Sequence, residues 1–186
     1  FFNNFRSSFF NTISIFTGTG YTTQDFNNWG SFIIILFLFL MLVGGCAGST
    51  TCGIKIFRLQ ILYQSAKIQI FKLLNPHGVS VAKYNKMPVS ESISTSVMGY
   101  FFMFIVIYIM ITLILSFLGN DFLTSLSGAA TSLANVGPGL GNVIGPSKTF
   151  AGLSDITKWV LIVGMLTGRL ELLSVIIILT PSFWKN

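Results

Sequence analysis

From Val97 to Leu118 the chain runs without a single charged side chain, and roughly 20 apolar residues are what a helix needs to cross about 30 Å of hydrocarbon. A second apolar run, Trp159 to Thr180, is interrupted only by Arg169 and Glu171. A third, Phe32 to Val43, is too short to cross alone, so its helix is expected to continue through the glycine cluster that follows. Only 9% of the 186 residues are charged and 52% are hydrophobic, whereas about a quarter of the residues in soluble domains are charged. The chain belongs in a membrane class, with several passes.

The formal charge of +6 does not point to nucleic acid, because the basic residues are clustered where a membrane explains them. Six of the eleven Lys and Arg residues (Lys55, Arg58, Lys67, Lys72, Lys83 and Lys86) lie between Gly53 and Glu91, a stretch with no Asp or Glu. The positive-inside rule makes that segment a cytoplasmic loop, able to meet anionic lipid headgroups. Lys185 then falls on the same side if each of the two later spans crosses once. Cys46 and Cys52 have no second pair to form a framework or a zinc site and are expected to be reduced space-fillers. His77 has no neighbouring ligand, so no metal role is expected for it. No nucleophile, carboxylate pair or phosphate loop is present to suggest an enzyme, and no covalent cofactor is called for.

An internal repeat organises the rest. At the offset that separates Gly20 from Gly137, Phe5 meets Phe122 and Ser8 meets Ser125. Each copy is a short run of small and apolar residues, Ser7 to Phe16 and Thr124 to Ala134, ending in a glycine-rich turn. Such runs suit re-entrant half-helices better than full spans. Non-helical backbone at membrane depth is tolerated only where it lines a cavity, so two such turns in register point to a pore lined by backbone carbonyls. The expected fold is an all-α membrane protein of repeated helix, re-entrant pore helix and helix units. Residues 1–72 make one unit without its first helix (pore helix, filter, broken second helix and its cytoplasmic extension). Residues 73–90 are a cytoplasmic loop, and residues 91–186 make a complete second unit. Because it opens with Phe1 in mid-unit and has no signal pattern, the chain reads as a fragment.

Potassium filters replace the ion's hydration shell with rings of carbonyls around a Thr-Val-Gly-Tyr-Gly type of segment. Thr19, Gly20 and Tyr21 share its Thr, Gly and Tyr character, and Asn135, Val136 and Gly137 offer the Val-Gly pair. Four features in order then resemble the Trk/Ktr potassium-uptake subunits: the filter ending in Gly20-Tyr21, the run from Gly44 to Lys55, the Asn-Val-Gly-Pro-Gly of residues 135–139, and Gly168-Arg169-Leu170-Glu171. The resemblance covers essentially the whole chain. It departs from the family pattern at Gly18, usually Thr, and Cys52, usually Gly.

The resemblance implies a pseudo-four-fold, potassium-channel-like pore built from four repeats in one polypeptide. This chain would supply the last repeat and most of the third, with the N-terminal repeats as its missing partners. It implies K+ as the transported ion, coordinated at Thr19, Gly20, Asn135, Val136 and Gly137. It implies a gating loop beneath the filter, comprising Gly44, Gly45, Ala47, Gly48, Ser49, Thr50 and Gly53, and the glycines there do weaken a helix by about 1 kcal/mol each. Gly44 and Gly48 also have the spacing of a close-packed helix pair. Arg169, near the centre of the last span, is implied to project into the pore and touch the loop; a structural ion pair is the other reading, although Glu171 cannot share its helix face. The family further implies a homodimer, a cytoplasmic nucleotide-binding regulatory subunit docking on the basic loop, and a bacterial inner membrane. A secondary transporter with discontinuous helices is the alternative, disfavoured because both repeats have the same orientation. A nonfunctional fragment of a longer pore subunit is another.

Overall fold

The computed structural model describes residues 2–76, 83–84, 87–170, 177 and 180–184. His77, Lys86, Glu171 and Lys185, named above, lie outside the described residues. The chain begins with α1 (Phe2–Phe16), a glycine turn and one 3-10 turn at Phe26–Trp29, capped by the Asp25 carboxylate, which accepts from the Asn27 amide. Then comes α2 (Ser31–Leu42).

The helix breaks at the glycine cluster, where a broken second helix is expected, instead of running on through it as length alone would need. It stops at Leu42, and β1 (Val43–Gly44) turns to pair in parallel with β2 (Ile54–Lys55), Gly44 opposite Lys55. The glycines are poor helix formers, and their small size lets the two strands close: a β-carbon at Gly44 would strike the Cys52 carbonyl. The pairing also satisfies backbone groups that the broken helix leaves free.

The cytoplasmic extension expected up to residue 72 is helix α3 (Ile56–Leu74), 19 residues long, so most of the basic segment after Gly53 is helix and not loop. It lies along α4 (Glu91–Phe117), where the Ser65 and Ser94 hydroxyls meet at 2.6 Å and the Arg58 guanidinium stands 3.7 Å from the Tyr100 ring centroid. The planar head of the arginine covers an aromatic face. Beyond α3, Lys83–Tyr84 (β3) pairs antiparallel with Met87–Pro88 (β4). The chain is therefore mostly helical but not purely so, because it contains these two short strand pairings.

Among the described residues, α4 is the one helix long and apolar enough to cross a membrane, with 27 residues and a mean hydropathy of 2.5 over its best window. The apolar α2 has 12 residues. After α5 (Phe122–Ala134) and the single turn α6 (Gly141–Ile144) comes α7 (Asp155–Arg169), with 15 residues. Arg169 thus stands in the last turn of this helix rather than at the middle of a described span, and residues 171–176 and 178–179 of the expected span lie outside the described residues.

The hub is α5, which packs against α2, α4 and α7. Its Ala129 and Leu133 join Phe104, Ile111, Leu115 and Leu161 in one core, and its Ala130 and Ala134 join Ile15, Phe37 and Met41 in the other. Small side chains on this helix let neighbours approach on all sides. The closest approach is by α7: a β-carbon at Gly168 would overlap the Leu133 carbonyl, and one at Gly164 would come within 2.7 Å of the Ser132 hydroxyl. Gly164 and Gly168 therefore form a small-xxx-small stripe. Gly48 has open space where a β-carbon would stand, so Gly44 and Gly48 form no such stripe. Replacing Gly168 by Val should cost at least about 2 kcal/mol through overpacking, read as a lowered unfolding midpoint in detergent, whereas Gly48→Val should stay within about 0.5 kcal/mol of the parent.

Candidate functional site

The two re-entrant helices end in the same backbone motif. The Thr19 amide donates to the Ser14 carbonyl at 2.9 Å, and at the repeat offset Val136 donates to Thr131 at 3.2 Å. Gly18 likewise donates to Ile15, and Asn135 to Ser132. This double closure requires a left-handed residue at the turn, and Gly18 (φ 68°) and Asn135 (φ 52°) supply it. Glycine pays nothing there and Asn tolerates it better than most side chains. Two residues on, Gly20 (φ 76°) and Gly137 (φ 110°) again have positive φ.

These two turns stand side by side. A β-carbon at Gly20 would overlap the Val136 carbonyl oxygen, and one at Gly137 would lie 3.9 Å from the Gly20 α-carbon. The second turn is braced by its own helix, because the buried Thr131 hydroxyl accepts from the Gly137 amide at 2.9 Å. Asn135 donates through its side-chain amide to the Met165 carbonyl of α7 at 3.1 Å. In the first turn the Thr17 and Thr19 hydroxyls meet at 2.8 Å, and Tyr21 is exposed. The arrangement brings Thr19, Gly20, Asn135, Val136 and Gly137 into one neighbourhood of closely spaced backbone.

Several residues that hold this neighbourhood have no motif to reveal them. Asn27 exchanges two hydrogen bonds with Gly141, donating to its carbonyl and accepting from its amide, both at 3.1 Å. Thr22 donates to the Pro146 carbonyl at 3.2 Å, and Ser147 donates to the Asp25 carboxylate at 3.0 Å. All three tie the first repeat to the second just beyond the turns. The fully buried Asn11 secures the first turn locally: its amide donates to Thr23 Oγ1, and its oxygen accepts from the Thr23 amide. A fully buried Asn on a helix was the available signal, since such a side chain requires partners.

The Gly44–Gly53 segment leaves α2 as an irregular loop. The Cys46 carbonyl accepts from both the amide and the hydroxyl of Ser49. The Ser49 and Thr51 hydroxyls lie 3.0 Å apart, and Thr51 reaches the Thr17 carbonyl at 3.5 Å. A β-carbon at Gly18 would lie 3.2 Å from the Thr51 methyl, so the loop abuts the first turn. Cys52 is buried as expected, but Cys46 is exposed and so fills no space. Arg169, from the end of α7, donates to the Thr50 carbonyl at 3.1 Å and lies 3.9 Å from Cys52 Sγ. Among the described residues, no group of three or more potential metal-ligating side chains occurs.

The profile of the TrkH cation transport protein family matches residues 3–185. The chain belongs to the TrkH family. It is 48% identical to the Trk system potassium uptake protein TrkI of Halomonas elongata over 95% of its own length and 36% of that protein's. It is 37% identical to the Trk system potassium uptake protein TrkH of Vibrio parahaemolyticus over 100% of its length and 38% of that protein's. The crystal structure of the potassium transporter TrkH from Vibrio parahaemolyticus superposes on 99% of this chain and 39% of its own chain, with a TM-score of 0.90 at 36% identity. The chain thus spans a little over a third of the relatives it matches. Its class is that of the family: a helical membrane protein built from pore-like helix units.

Proposed function

We propose that the chain forms two adjacent quarters of a potassium-conducting pore. The observation that supports this most directly is the recurrence, in register and side by side, of two positive-φ glycine turns at the ends of re-entrant helices. The relatives' names, Trk system potassium uptake proteins, supply the ion. In this reading the carbonyls of Thr19, Gly20, Asn135, Val136 and Gly137 replace part of the hydration shell of K+, with Tyr21 at the rim. The Gly44–Gly53 loop lies across the path beneath, and Arg169 holds it there. The complete subunit, with the other repeats, sits in the bacterial inner membrane as a homodimer. The α3 face with Lys67 and Lys72 is turned toward the cytoplasm and a nucleotide-binding regulator.

Flux into liposomes containing the complete subunit tests the function. With equal inward gradients, K+ should enter at least about tenfold faster than Na+, a preference worth roughly 1.4 kcal/mol. Equal rates, or no flux above empty liposomes, would overturn the reading.

A further inference from the structure

The Gly44–Gly53 loop is held by a second cation that the function does not yet use. Lys55 stands at the foot of the loop, opposite Gly44 in the strand pair and at the N-terminal cap of α3. Its ammonium folds back over the loop and donates to the Ala47 carbonyl at 3.3 Å. The placement is unfavourable for the helix: a cation at a helix N-terminus opposes the macrodipole, and the first turn of α3 has no acidic residue to offset it. Local helix stability therefore does not explain a lysine at this position, whereas the loop contact does. Ala47 is three residues from Thr50, the residue held by Arg169. The two cations thus grip the loop's tip from different sides, one from the loop's own repeat and one from α7 of the other. Between them, the Ile56 amide donating to the Gly45 carbonyl fixes the neck.

We infer that Lys55 is a positioning residue for ion flow, a second latch that keeps the Ala47–Thr50 segment folded across the path. The inference rests on the gating reading of the loop proposed above. Lys55 acts through the loop and need not touch the ion. Removing its charge releases one side of the tip while leaving the Arg169 contact in place.

The test is K+ flux in liposomes containing the complete subunit, at matched amounts of monodisperse protein. The variants are Lys55→Met, which keeps the aliphatic stem, Lys55→Arg, which keeps the cation, and Arg169→Ala. Lys55→Met should raise flux about threefold, the low end for loss of a charged but partly solvated hydrogen bond. Lys55→Arg should stay within about twofold of the parent, because the donor and charge persist. Lys55→Gln serves as the second charge-free variant should the methionine protein be unstable. If Arg169→Ala raises flux and neither charge-free variant does, the lysine latch is overturned and the gating loop stands. If none of the variants raises flux, both fall. An arginine variant as leaky as the methionine one would mean that any change at this position disturbs the loop, and it would overturn the latch.

Discussion

Replacing Arg169 by Ala should raise K+ flux through the complete subunit about tenfold or more. The guanidinium is exposed in this chain, and in the complete pore proposed above it needs an acceptor for its fixed charge. It finds an acceptor in the Thr50 carbonyl at 3.1 Å, with Cys52 Sγ beside it. The contact is exposed in this chain; where the complete pore proposed above shields it from water, a hydrogen bond to a charged group contributes about 1.5–3 kcal/mol, which shifts a two-state equilibrium roughly tenfold to a hundredfold. In the proposed reading, truncation removes a latch and also a fixed positive charge from the path of the cation, so both effects act in one direction. Arg169→Lys should fall between the two, because an ammonium can reach the carbonyl but lacks the planar fork. Flux that stays at the parent level for the alanine variant, measured at equal protein in the membrane, would make this arginine a structural residue.

The second large effect is expected at the first turn. Gly20→Ser should lower the preference for K+ over Na+ by about tenfold or more, through loss of at least about 1.4 kcal/mol of discrimination. Two independent costs arise there. Gly20 holds φ at 76°, where a side chain costs roughly 1–2 kcal/mol. A β-carbon would also overlap the Val136 carbonyl, one of the oxygens proposed to coordinate the ion. Either the carbonyl moves or the turn reorganises, and both change the spacing that the proposed filter uses to distinguish the two cations. Gly137→Ala provides the contrast. Its φ of 110° is strained for a side chain, yet its β-carbon would meet only the Gly20 α-carbon at 3.9 Å. Selectivity should therefore suffer more at Gly20 than at Gly137 when the two variants are compared by reversal potentials in mixed salts. Equal selectivity in the parent and Gly20→Ser would remove the filter role from this turn.

What could be read without coordinates was short-range. Gly18, Gly20, Asn135 and Gly137 are residues that accept a positive φ, and their recurrence at one offset predicts two like turns because backbone sterics act within a few residues. The uncharged run of α4 is a helix for the same local reason, with desolvation of its backbone added. The glycines after Leu42 announced trouble for a helix but not its outcome, since propensity says where a helix weakens and not what replaces it. A parallel pairing of Val43–Gly44 with Ile54–Lys55 needs the chain to return on itself. Likewise α3 was legible only as an extension of the broken helix, and its docking depends on Arg58 meeting Tyr100 and Ser65 meeting Ser94 on another helix. Gly44 and Gly48 have the same four-residue spacing as Gly164 and Gly168, yet of these two pairs only Gly164 and Gly168 face a neighbouring helix closely enough to exclude a β-carbon. The composition and local sterics of the sequence determined the membrane class, the repeat and the shape of each turn. Tertiary packing decided that the turns lie side by side, that Asn27 clasps Gly141, and that Arg169 reaches Thr50, because each contact joins residues more than a hundred positions apart that no local preference can bring together.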